Sequence, residues 1–168
     1  MERDGSVERA LDIAAHYHKG QVDKQGAPYI LHPLRVAARV VYNWGAKGEA
    51  IPELGVDLPS FIAAVLHDII EDTDVNADDL LHEGFDKDLV KAIRLLSRPP
   101  KEAPNRPTYV EFIKLIKDAE GEPGRIARKV KMADLSDNLS RIEGLPEEER
   151  SIERRYKRAV GILLGLQE

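Results

Sequence analysis

The stretch HDIIEDT, residues 67–73, places four ionisable side chains within six positions: His67, Asp68, Glu71 and Asp72. It follows FIAAVL, residues 61–66, an apolar run that reads as part of a helix from an Asp57 N-cap to about Ile70. On such a helix His67 and Glu71 share a face, and Asp68 and Asp72 share the next one round. Carboxylates near a helix C-terminus oppose the macrodipole, a penalty that a nearby cation removes. The alternative is a helix end that simply surfaces into solvent, the commoner fate of charged residues. The rest of the chain has to decide between the two.

The chain has 168 residues, 42% apolar and 33% charged, an ordinary globular composition. That length fits one domain, 1–168, able to bury a core without cross-links. Against 25 basic residues stand 30 acidic ones, for a net charge of -5. This argues against nucleic acid as a partner, since such binding rests on phosphate neutralisation. A local basic patch or a metal can still take an anionic small molecule. The chain has no cysteine, which excludes disulfides, thiolate metal sites and cysteine nucleophiles. Any metal must therefore be held by His, carboxylate or water. The N-terminal residues lack a signal-peptide core, and no run approaches the roughly 18 apolar residues of a membrane span. A cytoplasmic protein with no membrane partner is expected.

Hydrophobic periodicity predicts an all-α fold, a bundle of about seven or eight helices with no strand pair. The first helix spans Ser6 to His18, and the loop QVDKQGAPYI follows. A second helix begins at Pro33 and stops at Gly45, with Tyr42 and Trp44 as packing near its end. After the 57–70 helix, Asn76 caps a short helix closed by Gly84, and another runs from Lys87 to Leu96. SRPPKEAPNRP, residues 97–107, is a Pro-rich loop, with Arg94, Arg98 and Arg106 read as a solvated face. Thr108 and Glu111 form a capping box, GEPG separates the next two helices, and helices over 125–142 and from Pro146 to about Leu164 complete the chain.

Two further residues supply the charged stretch with company. His32 sits in a loop-to-helix turn after Ile30 and Leu31. Asp134 lies among apolar Val130, Ala133 and Leu135, with Asn138 one turn on and on the same face. Two imidazoles and two aspartates from three separated helices make a mixed N/O set. That set suits Mn²⁺, Fe²⁺, Co²⁺ or Zn²⁺ better than Ca²⁺ or Mg²⁺. Four protein ligands on a six-coordinate ion leave positions for water and substrate. Glu71 is placed to accept a proton from that water, and Asp72 to share the task or orient Glu71. Lys131, one turn before Asp134, approaches the same site or pairs with a carboxylate. His16 and His82 read as surface residues, and His18 reads equally as a site position or as helix-end packing.

His32, the His67-Asp68 pair and Asp134, in that order, resemble the HD-domain metal-dependent phosphohydrolases. The strings HKGQVDKQGAPYILHPLRVA, AAVLHDIIEDT and KMADLSDN are similar to the hydrolase domain of the RelA/SpoT alarmone enzymes and to the small stand-alone alarmone hydrolases. The resemblance covers about residues 5 to 160. It implies a compact helical bundle in which His32, His67, Asp68 and Asp134 bind one divalent ion, usually Mn²⁺. It implies that Glu71 and Asp72 position or deprotonate the attacking water. Asn138 is then expected at the nucleotide sugar or in the hydrogen-bond network of the site, and Lys24 beside the nucleotide. The implied substrate is a guanosine polyphosphate, (p)ppGpp, whose 3′-pyrophosphate is removed to leave GDP or GTP. No synthetase domain follows, so hydrolysis alone is expected.

Two positions depart from the family pattern. Asp23 precedes Lys24 where a basic pair is expected, and Leu135 stands where Arg usually follows the last aspartate. Both changes remove positive charge near the expected polyphosphate. They keep open the hydrolysis of another nucleotide or phosphate ester by the same metal site. A non-catalytic metal- or nucleotide-binding regulator is a third reading, although it would not need Glu71 and Asp72. The sequence is compatible with a homo-oligomer.

Overall fold

The structure, a computed structural model, describes residues 5–44, 50–52, 57–142 and 151–166. Among them the chain forms α1 (Val7–Tyr17), α2 (Leu31–Val41), β1 (Tyr42–Trp44), β2 (Ala50–Pro52), α3 (Leu58–Leu66), α4 (Ile69–Asp72), α5 (Ala77–His82), α6 (Lys87–Leu96), α7 (Tyr109–Asp118), α8 (Gly121–Ile142) and α9 (Ser151–Leu163). The all-α expectation holds. Helix starts follow the capping chemistry of the sequence. Ser6, Asp57, Asn76, Asp86 and Thr108 each accept backbone N–H bonds at a helix N-terminus. The boxes Asn76/Asp79 and Thr108/Glu111 are reciprocal.

Helix α8 runs through the middle, packed against α2, α3, α6, α7 and α9. Its buried residues, among them Ile126, Val130, Leu135 and Ile142, lie all round the helix rather than along one stripe. Helix α3 is likewise enclosed, with every residue from Ile62 to Leu66 buried. Truncating Leu66 to Ala would cost about 2–5 kcal/mol through lost burial and the cavity left behind. Two helices enclosed in this way can carry polar groups into the interior only where those groups find partners.

The fold corrects three sequence expectations. Residues 42–44 leave the helix and pair antiparallel with 50–52, Tyr42 opposite Pro52 and Trp44 opposite Ala50. The run Val40, Val41, Tyr42 is β-branched and aromatic, a composition that suits a pleated ribbon as well as a helix. The helix stop expected at Gly45, the side-chain packing of Tyr42 and Trp44, and the helix start at Pro146 lie outside the described residues. The helix expected through Ile70 breaks at His67-Asp68, making two helices where one was expected, and Asp68 takes φ -98°, ψ -3°. That is the sparsely populated bridge region in which active-site residues recur. GEPG is the first turn of α8 rather than a separator. Gly121 turns the chain at φ +68°, and a Cβ on Gly124 would lie 1.9 Å from the Ala119 carbonyl oxygen. Among the described residues no helix is long and apolar enough to cross a membrane.

Candidate metal centre and substrate cleft

His32 comes from the first turn of α2, His67 and Asp68 from the turn between α3 and α4, and Asp134 from the middle of α8. The structure brings all four together. His67 Nε2 lies 3.0 Å from Asp68 Oδ2 and 3.9 Å from Asp134 Oδ1. His32 Nε2 lies 3.2 Å from Asp134 Oδ1 and 3.6 Å from Asp68 Oδ2. Donor atoms of His32, His67 and Asp68 fall within 4.8 Å of one another, a set that could hold a metal ion.

The tautomers favour a cation at the centre. His67 Nδ1 donates to the Ala64 carbonyl at 2.7 Å, and His32 Nδ1 to Asp137 at 2.9 Å. Both Nε2 atoms therefore turn toward the carboxylates, and His67 Nε2 is buried with no hydrogen-bond partner. Two imidazole nitrogens and two carboxylates converge at one point. Burial lowers the His32 pKa, but hydrogen bonds to Asp134 and Asp137 outweigh it and carry the value up to about 10. The site calls for positive charge, and this donor set fits a divalent ion with mixed N/O ligands.

Each of these groups is held from behind. Asp137 is fully buried and faces Arg35 as well as His32, which brings its pKa down to about 2 against the effect of burial. The Tyr29 hydroxyl donates to Asp68 Oδ2 at 2.5 Å and approaches Asp72 Oδ2 at 3.0 Å. Lys131 Nζ donates to Asp134 Oδ2 at 2.8 Å and Asn138 Nδ2 to Asp134 Oδ1 at 2.6 Å. Lys131 and Asn138 line the cleft, but the hydrogen bond each displays is to Asp134. Sequence reasoning missed Asp137, Tyr29 and Arg35. A signal existed: Tyr29 and Arg35 flank His32 at three residues either side, and Asp137 follows Asp134 by three.

The centre opens onto a cleft of about 660 Å³. Glu71 and Asp72 stand at its solvent edge. Partial burial and the Asp68 carboxylate raise both their pKa values, while the Arg98 backbone N–H, 2.9 Å from Glu71 Oε2, works the other way. Lys24, Arg98, Lys101, Arg106 and Arg155 bring cations to the walls. Arg98 and Arg106, expected on a solvated face, line the cleft instead, while Arg94 is exposed and absent from it. They face inward because the Pro-rich loop curls back on itself. Arg98 donates to the Pro107 carbonyl at 3.0 and 2.6 Å, and Arg106 to the Pro99 carbonyl at 2.6 Å.

The two departures from the family pattern have different consequences. Leu135 is fully buried in the core, so this position takes no cation from the cleft wall. Asp23 organises its own loop, accepting from Gln25 N and Ala27 N at 2.9 and 3.0 Å. It also holds Arg141, whose Nη2 lies 2.6 Å from Asp23 Oδ2 and 2.5 Å from Gln25 Oε1. His18 is buried beside Gln21, at 2.8 Å, with its ring 5.0 Å from that of Tyr29, a packing role behind the site. His16 and His82 are exposed, as expected.

An all-helical frame draws a histidine, a His-Asp pair and a distant aspartate into one cluster, a set that could hold a divalent ion in the manner of an HD domain. Residues 10–158 match the family model of the HD domain, and the chain belongs to that family. It is similar to the guanosine-3′,5′-bis(diphosphate) 3′-pyrophosphohydrolase of Aquifex aeolicus, 31% identical over 86% of this chain and 19% of that protein. The enzyme of the same name from Vibrio cholerae is 31% identical over 89% of this chain and 20% of its own length. The chain thus spans about a fifth of the length of these relatives. A solved structure of a metazoan SpoT orthologue, described as hydrolysing ppGpp, superposes with a TM-score of 0.71 at 24% identity. That likeness covers 94% of this chain and 84% of the other, and it is one of fold.

Proposed function

We propose that this chain, as one HD domain over residues 1–168, is a metal-dependent phosphohydrolase. Its proposed reaction removes the 3′-pyrophosphate of (p)ppGpp, releasing GDP or GTP and pyrophosphate. The observation that carries this reading is the junction of two features at one place. A cluster of two imidazoles and two carboxylates sits at the end of a cation-walled cleft, with two further carboxylates, Glu71 and Asp72, beside it. The kinship with alarmone pyrophosphohydrolases supports the choice of substrate.

In this reading His32, His67, Asp68 and Asp134 hold one divalent ion, Mn²⁺ by preference. When bound there, the ion supplies Lewis-acid stabilisation of phosphoryl charge and a nucleophilic water at neutral pH. Glu71 accepts the proton of the attacking water, its raised pKa bringing it nearer the working range of a general base. Asp72, fixed by the Tyr29 hydroxyl, orients Glu71 and the water. Lys131 and Asn138 keep Asp134 aligned and present their remaining polar atoms to the nucleotide. Lys24, exposed in the 21–30 loop, meets a phosphate. The protein acts in the cytoplasm on a small molecule, without nucleic acid or membrane.

A second reading, hydrolysis of another nucleotide by the same centre, is favoured by one contact: Asp23 occupies Arg141, a cation of the cleft. A panel of ppGpp, pppGpp, nucleoside triphosphates and monophosphates, assayed with Mn²⁺, tests both. Pyrophosphate release from the guanosine polyphosphates alone supports the first, and phosphate release from other nucleotides alone replaces it with the second.

A further inference from the structure

Arg35 stands one turn beyond His32 on α2, on the same face of the helix. Its Nε lies 3.0 and 3.1 Å from the two oxygens of Asp137, the carboxylate that accepts from His32 Nδ1 at 2.9 Å. Arg39, a further turn along, approaches Asp137 at 3.4 Å and donates to Ser136 Oγ and Ser140 Oγ. Asp137 is wholly buried, so its charge is retained only because these partners surround it. The two arginines differ in one respect: Arg35 lines the cleft, and Arg39 does not.

Arg35 also carries an unmet donor. Its Nη2 is buried and has no hydrogen-bond partner. A guanidinium is a planar fork, so fixing Nε on Asp137 fixes the direction of both terminal nitrogens. An oxygen entering the cleft is the acceptor that the chain itself does not provide. The need for such a cation is local. Asp23 stands in the 21–30 loop where a basic residue was expected, and Arg141 is already engaged by Asp23 and Gln25.

We propose that Arg35 is the phosphate-reading residue of this cleft, and that Asp137 ties it to His32. One buried carboxylate then fixes both the anion contact and the orientation of a metal-binding imidazole. Arg35 touches substrate, whereas Asp137 and Arg39 are positioning residues. The inference rests on the metal-dependent phosphohydrolase reading and deepens it, by naming where the substrate's negative charge is read.

Two readouts test it in the full chain. The first is Mn²⁺ affinity of Asp137→Asn, Arg35→Met and Arg39→Met, with helicity and melting as checks on folding. Asp137→Asn is expected to weaken Mn²⁺ binding about 10–100-fold, the usual effect of losing an outer partner of a metal-binding histidine. If Asp137→Asn does not fold, Arg39→Met takes its place, with a smaller loss of Mn²⁺ affinity expected. Unchanged affinity in every folded variant would overturn the tie to His32. The second is the dissociation constant of ppGpp at saturating Mn²⁺, measured in a Glu71→Gln background so that turnover does not intervene. Arg35→Met is expected to weaken binding at least about tenfold, the size of one lost charge-assisted hydrogen bond, and Arg39→Met to leave it unchanged. Equal effects of the two, or none from Arg35→Met, would overturn the assignment. Absence of ppGpp binding with Arg35 intact contradicts the alarmone reading instead. The two variants are then ranked on inorganic phosphate, with the same outcomes deciding.

Discussion

Two walls of the cleft are built on different principles. The wall formed by α2, the 67–68 turn and α8 is buried, and each of its polar groups has a side-chain or backbone partner behind it: Ala64 for His67, Asp137 for His32, Tyr29 for Asp68, Lys131 and Asn138 for Asp134. The wall formed by the 97–107 loop is open to solvent, and Arg98 and Arg106 are set there by bonds to the carbonyls of Pro107 and Pro99. A group held by side chains in the interior cannot change identity without leaving a partner unmatched. A cation held by backbone carbonyls depends on the path of the loop and tolerates exchange. The metal side should therefore be brittle and the loop side adjustable.

The largest effect should come from the metal side. His67→Ala, or chelation of the wild type, is expected to take phosphohydrolysis to the uncatalysed background, read as turnover alongside a Mn²⁺ titration. Substantial activity in His67→Ala would break the comparison at its strongest point. Glu71→Gln comes next, with kcat expected to fall about 10²–10⁴-fold while Mn²⁺ affinity stays unchanged. Because Glu71 must be ionised to act, the acid limb of the kcat profile should report its titration, and that limb should vanish in the variant. Tyr29→Phe removes one hydroxyl that serves Asp68 and Asp72 together, and about a tenfold loss of Mn²⁺ affinity or activity is expected.

Smaller effects should appear away from the centre. Asp57 caps α3 and pairs with Arg125, which together with Ser60 keeps its carboxyl well below the usual range against the effect of burial. Asp57→Ala should cost about 1–2 kcal/mol near neutral pH, measured by denaturant unfolding. A depressed pKa contributes stability that is present above the unfolded value of 3.8 and lost as pH falls through the folded one. The gap between wild type and Asp57→Ala should therefore be level at neutral pH and narrow below about pH 4. Arg106→Ala is expected to be the mildest change, shifting stability by no more than about 0.5 kcal/mol while raising KM, since its guanidinium serves the loop and the cleft. A large fall in kcat from Arg106→Ala would mean that the loop wall is as constrained as the metal wall.

The same contrast explains what could be read before the fold was seen. That His32, His67, Asp68 and Asp134 converge was legible because each sits beside an apolar run that brings it toward the interior. Helix starts at Asp57, Asn76 and Thr108 were legible because capping is local chemistry. Asp137 was harder to read, because its spacing from Asp134 on a helix of mixed charge gains meaning only once Arg35 and Arg39 are seen to face it. The hairpin of 42–44 with 50–52 depends on pairing across a connection, which no local period records. The break at His67-Asp68 was hidden because a helix and a helix with a bridge-region turn have the same apolar pattern. Arg98 and Arg106 were read as solvated because their direction is set by how the loop closes, not by the helix they follow.

The measurement that bears most directly on the central claim is pyrophosphate release from ppGpp by the purified chain, with Mn²⁺ and again after chelation. Rapid release that disappears on chelation and returns with Mn²⁺ is the predicted result. No release from ppGpp in the presence of Mn²⁺, with clear turnover of another nucleotide, would contradict the alarmone assignment while leaving the metal centre in place.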